Sequence, residues 1–149
     1  QISGLKYREM KKDDPGNIRL LEKGVEILPR VVTPENLNKG VVEVIVEDDI
    51  VPLTLSDALL GTLVEIRGIN VDEVYVTTKE ESSSFGAMTM TCTKDGESIQ
   101  IRTLPLYEDG ELLTERDFLG FVIDVTGVLD TYEGKSQIRV FSIDDITVY

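Results

Sequence analysis

Residues 88–103 read MTMTCTKDGESIQIRT. Asp95-Gly96 at the centre is a two-residue turn of the kind that joins adjacent antiparallel strands, because both positions tolerate the positive φ of a type I′ turn. The flanking alternation sets the register. Pairing Lys94 with Glu97 places Cys92 opposite Ile99, Met90 opposite Ile101 and Met88 opposite Thr103. The other face then carries Thr89, Thr91, Thr93, Ser98, Gln100 and Arg102. The apolar residues meet on one side without a slip, as a half-buried hairpin requires. Cys92 falls on that side and reads as a small buried hydrophobe.

Outward from this hairpin the pattern stays β-rich. Thr62–Val71 reads as a strand whose phase changes at Arg67-Gly68: Val64 and Ile66 share one face, then Ile69 and Val71 do. An extra residue beside a glycine is how a β-bulge bends a strand. Ser56–Leu60 before Gly61 suits one helical turn with a glycine stop. Residues 72–86, with Ser82-Ser83-Ser84, read as a long polar loop. Glu111–Asp117 suits a short helix between strands. Leu119–Leu129 is a strand with Phe121, Ile123, Val125 and Leu129 on one face, and Gly127 marks a bend. A loop at Asp130–Lys135 leads to Gln137–Phe141, and Ile146–Tyr149 follows. The five strands near 62–71, 87–94, 97–103, 119–129 and 136–142, with a helical segment between the third and fourth, predict an all-β protein. That order suits a five-stranded OB-like Greek-key barrel over residues 53–149.

Residues 1–52 are less regular. Asp13-Asp14-Pro15-Gly16-Asn17 is a turn signal, and prolines stand at Pro29, Pro34 and Pro52. Val41–Val46 suits a buried strand. Asn17–Glu22 before Gly24 fits a short helix or a strand. This part reads as an N-terminal β-rich extension or a partial second unit.

The composition removes several chemistries. The chain has 149 residues, no histidine and one cysteine. That excludes Ser-His-Asp and Cys-His catalysis and a zinc-finger ligand set. There is no apolar run of membrane-spanning length. The first residues lack the charged and apolar regions of a signal peptide. The formal charge is −13. It divides unevenly: residues 1–52 carry a balance of −2 and residues 53–149 a balance of −11.

The stretch Pro52-Leu53-Thr54-Leu55-Ser56-Asp57, then Leu60–Ile69, resembles the junction before the C-terminal OB domain of Bacteroidetes cell-surface proteins of unknown function. Asp95-Gly96 before Ile99–Thr103, Val125–Leu129 with Gly134, and Ile138-Arg139-Val140 before Asp144-Asp145-Ile146 are similar to the same family. The resemblance covers roughly residues 50–149 and rests mostly on fold-determining glycines and strand alternation. It implies a secreted or cell-envelope setting, tandem OB-like units and a lipid anchor upstream. It supplies no catalytic residues.

Such a barrel usually binds through strands 2–3 and the loops joining strands 1–2 and 4–5. That surface would hold Arg67, Tyr75, Phe85, Thr89, Thr91, Gln100, Arg102, Tyr132 and Lys135. Loop aromatics suit stacking on sugar rings or bases, and Arg102 suits an anion or an amide. The bland alternative is that Tyr75 and Phe85 pin the long loop and the threonines are ordinary strand residues. Three function classes follow. The first is a non-catalytic binding or scaffold module, with no cofactor and a glycan, peptide or protein as ligand. The second is single-stranded nucleic-acid binding. Charge opposes it, because such binders neutralise phosphates with basic grooves, whereas Lys79, Lys94, Arg102, Lys135 and Arg139 are scattered in sequence. The third is a carboxylate- or metal-dependent hydrolase. The acidic runs Asp13-Asp14, Glu47-Asp48-Asp49, Asp72-Glu73, Glu108-Asp109 and Asp144-Asp145 lack calcium-loop spacing, and neighbouring acids in a strand face opposite ways.

Overall fold

The computed structural model describes residues 26–149. The readings at Asp13–Asn17 and Asn17–Glu22 lie outside them. In chain order the elements are β1 (Arg30–Val31), α1 (Pro34–Lys39), β2 (Val41–Val46), β3 (Asp49–Thr54), α2 (Leu55–Leu59), β4 (Leu63–Val76), β5 (Ala87–Lys94) and β6 (Glu97–Pro105). Then come β7 (Tyr107–Glu108), β8 (Glu111–Leu112), a 3-10 turn at Glu115–Asp117, β9 (Val122–Tyr132), β10 (Lys135–Val140), a second 3-10 turn at Ile143–Asp145, and β11 (Ile146–Val148).

Asp95 and Gly96 take φ of 52° and 82°, as a type I′ turn requires. β5 and β6 pair in the expected register from Lys94–Glu97 through Cys92–Ile99 to Met90–Ile101. Past Arg102 the register slips, so Ala87 faces Pro105 and the Met88–Thr103 pairing fails. A bulge accounts for this. The Thr103 side chain turns inward, and its Oγ1 accepts a hydrogen bond from the Met88 N–H at 3.0 Å.

β4 carries the expected break between Ile66 and Ile69, with Gly68 at φ 59°. The strand runs on to Val76, however, so residues 72–76 are not loop. A second bulge between Val71 and Glu73 resets the phase and turns Val74 and Val76 toward the core. These bends let one strand pair with β5 along its second half and with β9 along its first. β10 lies parallel to β6 and antiparallel to β9, so the order β4-β5-β6-β10-β9 closes back on β4. This is the five-stranded OB-like Greek-key barrel, and closure leaves none of its five strands as a bare edge.

Val64, Ile66, Ile69, Met88, Met90, Cys92, Ile101, Ile123 and Ile138 fill the interior with no measurable exposure. Each large side chain buried this way contributes roughly 1.5–3 kcal/mol. Burial pushes the Cys92 thiol up to about 12, so it behaves as a hydrophobe. Gly127 does not bend β9, which alternates without interruption. It is required instead by the approach of β10: a Cβ there would sit 2.5 Å from the Arg139 carbonyl oxygen. Phe121 is 43% exposed and not inward, because β9 starts one residue later and Gly120 and Phe121 belong to the preceding turn. The helical segment expected at Glu111–Asp117 is shorter. Glu111 and Leu112 pair with β7, and only Glu115–Asp117 turns. The expected loop at Asp130–Lys135 tightens to Glu133-Gly134, both at positive φ.

The N-terminal residues reach the barrel through β1, which pairs parallel with β4, and through α1. Thr33 caps α1 by accepting from the Asn36 N–H at 3.1 Å. Leu37 enters the core. Lys39 pairs with Glu97 of β6, and Asn38 donates to the same carboxylate at 3.1 Å. These contacts hold the Glu97 carboxyl below its usual range and the Lys39 ammonium above its own. Val41–Val46 does form a strand, but not a buried one. It makes an antiparallel hairpin with β3, its residues exposed or half-buried throughout. That hairpin spans residues 52 and 53.

Candidate ligand-binding face

Alternation turns the even-numbered interior residues of β5 inward and its threonines outward. On β6 Ile99 and Ile101 point in, so Gln100 and Arg102 point out. β10 repeats the arrangement. Residues 100–102 are Gln-Ile-Arg, and so are residues 137–139. The two copies lie on adjacent parallel strands in direct register: Gln100 beside Gln137, Ile101 beside Ile138, Arg102 beside Arg139. The isoleucines enter the core, the two guanidiniums form a short ladder on the surface, and of the two amides Gln100 is half-buried while Gln137 is buried at the floor of the sheet face.

Register extends both pairs across the sheet. Tyr75 pairs with Thr89, Thr89 with Arg102, and Arg102 with Arg139, giving one row over four strands. The next row runs Thr91, Gln100, Gln137, Asp130. Tyr132 and Lys135 pair at the head of the β9–β10 hairpin. A groove of about 550 Å³ is lined by Tyr75, Thr89, Arg102, Tyr132, Gln137 and Arg139 among others. A second groove, holding Thr91, Ser98, Lys135 and part of α1, shares Gln100 and Thr131 with it. The two therefore form one track.

Two guanidiniums on neighbouring strands repel each other. Their partners only partly offset this. Arg102 Nη1 donates to Thr89 Oγ1 at 2.7 Å. Arg139 Nη1 stands 3.8 Å from Asp130 Oδ2, and its guanidinium lies 5.7 Å from the Phe141 ring centroid. Asp130 also accepts from Gln137 Nε2 at 3.3 Å. Along the joined track Arg102, Arg139 and Lys135 meet Asp130 and Asp57. The acidic excess of the barrel thus lies elsewhere.

Seven of the nine expected residues lie on this track: Tyr75, Thr89, Thr91, Gln100, Arg102, Tyr132 and Lys135. Arg67 does not join them. The bulge re-aims it, and it makes a two-pronged pair with its own neighbour Glu65, at 2.7 and 3.0 Å. Asp124 and Tyr149 complete that separate cluster, where Asp124 accepts from the Gly68 N–H and the Tyr149 hydroxyl. The bond to Asp124 raises the Tyr149 phenol above its usual value. Phe85 sits half-exposed on the β4–β5 loop, off the track, while its neighbours Ser83 and Ser84 line the Arg102 end. Gln137, Arg139 and Asp130 are members that strand-by-strand reading missed. The repeated Gln-Ile-Arg was the signal for the first two, and Asp130 joins them only through the pairing of β9 with β10.

No family model and no curated protein matches the chain. Among solved structures, a chain of a replication protein A heterotrimer bound to single-stranded DNA aligns with a TM-score of 0.44 and 13% identity, over 76% of each chain. The fold assignment stands on the strand order and closure given above. Among the described residues no helix is long and apolar enough to cross a membrane.

Proposed function

We propose that this barrel is a non-catalytic binding module that holds an extended acidic glycan along the β5–β6–β10 face. The observation that carries the reading is the in-register pair of Gln-Ile-Arg segments. The arginine ladder suits carboxylate or sulfate groups. Gln100, half-buried on the groove, offers a donor and an acceptor to hydroxyls, while the buried Gln137 is held by Asp130. Tyr75 and Tyr132, 65% and 58% exposed, offer ring faces at the margins for sugar rings. The resemblance to Bacteroidetes surface proteins would place this activity at the cell envelope, on a lipoprotein whose anchor lies upstream. The test is a glycan array with the intact chain. Binding to uronate- or sulfate-bearing oligosaccharides is expected, and Arg102→Ala with Tyr132→Ala should abolish it. Unchanged binding in that double variant would remove this face from consideration.

The same arginine ladder beside exposed tyrosines favours a second reading, single-stranded nucleic acid. In that case oligonucleotide affinity would fall with salt, by roughly 0.7 in log K per log unit of salt for each neutralised phosphate. No binding at low salt would remove it. A hydrolase reading gains no support from this groove, where Asp130 is tied to Gln137 and Arg139 and has no second carboxylate in its row.

A further inference from the structure

The hairpin β2–β3 pairs with no other strand among the described residues. Two-stranded hairpins are marginal in water. Yet this one presents Val41, Ile45, Val46 and Ile50 at 51–78% exposure.

Its two edges are unequal. Glu47 and Asp48 form a two-residue turn, both at positive φ. Val46 and Asp49 therefore close the hairpin as a hydrogen-bonded pair, and bonded pairs recur at every second step. The Leu55 N–H donating to the Gly40 carbonyl at 2.8 Å falls on that step. The intervening residues turn their N–H and C=O groups outward: Val41, Glu43 and Ile45 on β2, and Ile50, Pro52 and Thr54 on β3. Pro52 has no N–H to offer. β2 thus presents a complete edge and β3 an interrupted one.

We propose that β2 is a homodimerisation edge, pairing antiparallel with β2 of a second copy so that Val44 meets Val44 at the two-fold axis. Two central registers bring the outward groups into bonding step. Centring on Glu43 sets two carboxylates directly opposite, which is destabilising. Centring on Val44 sets each Glu43 against Ile45 of the other copy. It aligns Val51 and Val44 of one copy with Val44 and Val51 of the other in a single row over four strands. Val42 and Val46 face each other on either side of that row. The same register carries Asp48 and Asp49 of each copy toward Lys39 at the foot of the other β2, where the Lys39 side chain is 61% exposed and also meets Glu97. The free edge admits both registers, and the opposed Glu43 carboxylates select this one, self-complementary as a two-fold interface must be.

The test uses the intact chain. Val44 would sit in a non-bonded pair with its counterpart, about 4.5 Å apart at Cα, within disulfide reach. Cys92 is buried and does not compete. Under mild oxidation Val44→Cys should give a disulfide-linked dimer on a non-reducing gel, and Ile50→Cys should not. Light scattering of the unaltered chain should show twice the mass of one chain. Val44→Lys sets two ammonium groups at the axis and should weaken association at least about tenfold. Val44 lies outside the barrel core, so a barrel melt unchanged from that of the unaltered chain certifies the folding of the barrel in each variant. A one-chain mass at every concentration overturns the proposal. So does cross-linking of Glu43→Cys in place of Val44→Cys, or a Val44→Lys variant that dimerises as before.

Discussion

Gly127→Ala tests how tightly the barrel closes. Gly127 lies in regular strand, and a Cβ there meets the Arg139 carbonyl oxygen and Ile138 Cγ2, both at 2.5 Å, and the Arg139 carbonyl carbon at 3.1 Å. Ordinary contact starts at 3.4 Å. Two of the three obstacles are backbone, which no rotamer change can move aside. β10 must then retreat from β9, straining pairs on both sides of it, since it also bonds to β6. Overpacking costs typically about 1–3 kcal/mol, and a backbone obstacle places this case near the top of that range. For a domain of this size that is a fall in Tm of roughly 5–10 °C. Thermal and urea unfolding followed by circular dichroism measure it. Gly134→Asn supplies the contrast. Gly134 has φ 76° and open space around it, so asparagine, which tolerates that conformation, should be nearly neutral. Gly127→Asn should cost more than Gly127→Ala. A Tm for Gly127→Ala within about a degree of the parent, outside the shift expected above, would refute the argument from close approach.

Thr103→Val removes the hydroxyl that satisfies the Met88 N–H and should cost about 1–3 kcal/mol in urea unfolding, whereas Thr103→Ser should cost less. The Cys92 thiol ionises near 9.0 in the unfolded chain and near 12 in the fold. Its contribution is therefore complete below pH 9.0 and lost as pH rises toward 12, by up to about 1.4 kcal/mol per pH unit. Cys92→Ala should remove that part of the alkaline slope, and a disulfide reagent should label Cys92 only after unfolding. Glu97 has a lowered folded value, caused first by the Lys39 hydrogen bond and then by Asn38. Its stabilising effect is present above pH 4.5 and lost as pH falls through the lower folded value. The protection factor at Leu37, its exchange rate taken relative to that of an unstructured peptide, should fall over that acid range in the parent and lose this pH dependence in Glu97→Gln.

The parts legible in the sequence were those fixed by local geometry. Asp95-Gly96 admits one turn type, and the flanking alternation left one register. Gly68 marked the bend in β4 because only a residue without Cβ enters its conformation freely. Bulges defeated the same logic elsewhere. Asp72 shifts the phase of β4 so that Val74 and Val76 read as loop, and the slip past Arg102 breaks the pairing of Met88 with Thr103, although Thr103 still faces inward as alternation requires. Val41–Val46 is apolar enough for a core strand, yet among the described residues its neighbours are its own hairpin and two short helices, which leave it exposed or half-buried. The site was half legible for a related reason. Thr89, Thr91, Gln100 and Arg102 lie on a hairpin, whose partners are close in sequence. Gln137 and Arg139 join them through parallel pairing over a separation of 37 residues, which alternation within one strand cannot reveal. The overall charge of −13 did not reveal that Arg102 and Arg139 stand side by side on this face, because charge on a folded surface is distributed by topology and not by segment.

Pro52 has a consequence for growth. A hairpin with donors along both margins can recruit a strand on each side, and every recruit exposes a fresh margin, which is the route to fibres. Here the outer margin of β3 breaks at Pro52. Whatever strand docks on β2, the addition terminates after one round. A doublet made this way has proline on both outer margins, so it is finite by construction, and a Pro52→Val chain would be the one that keeps lengthening.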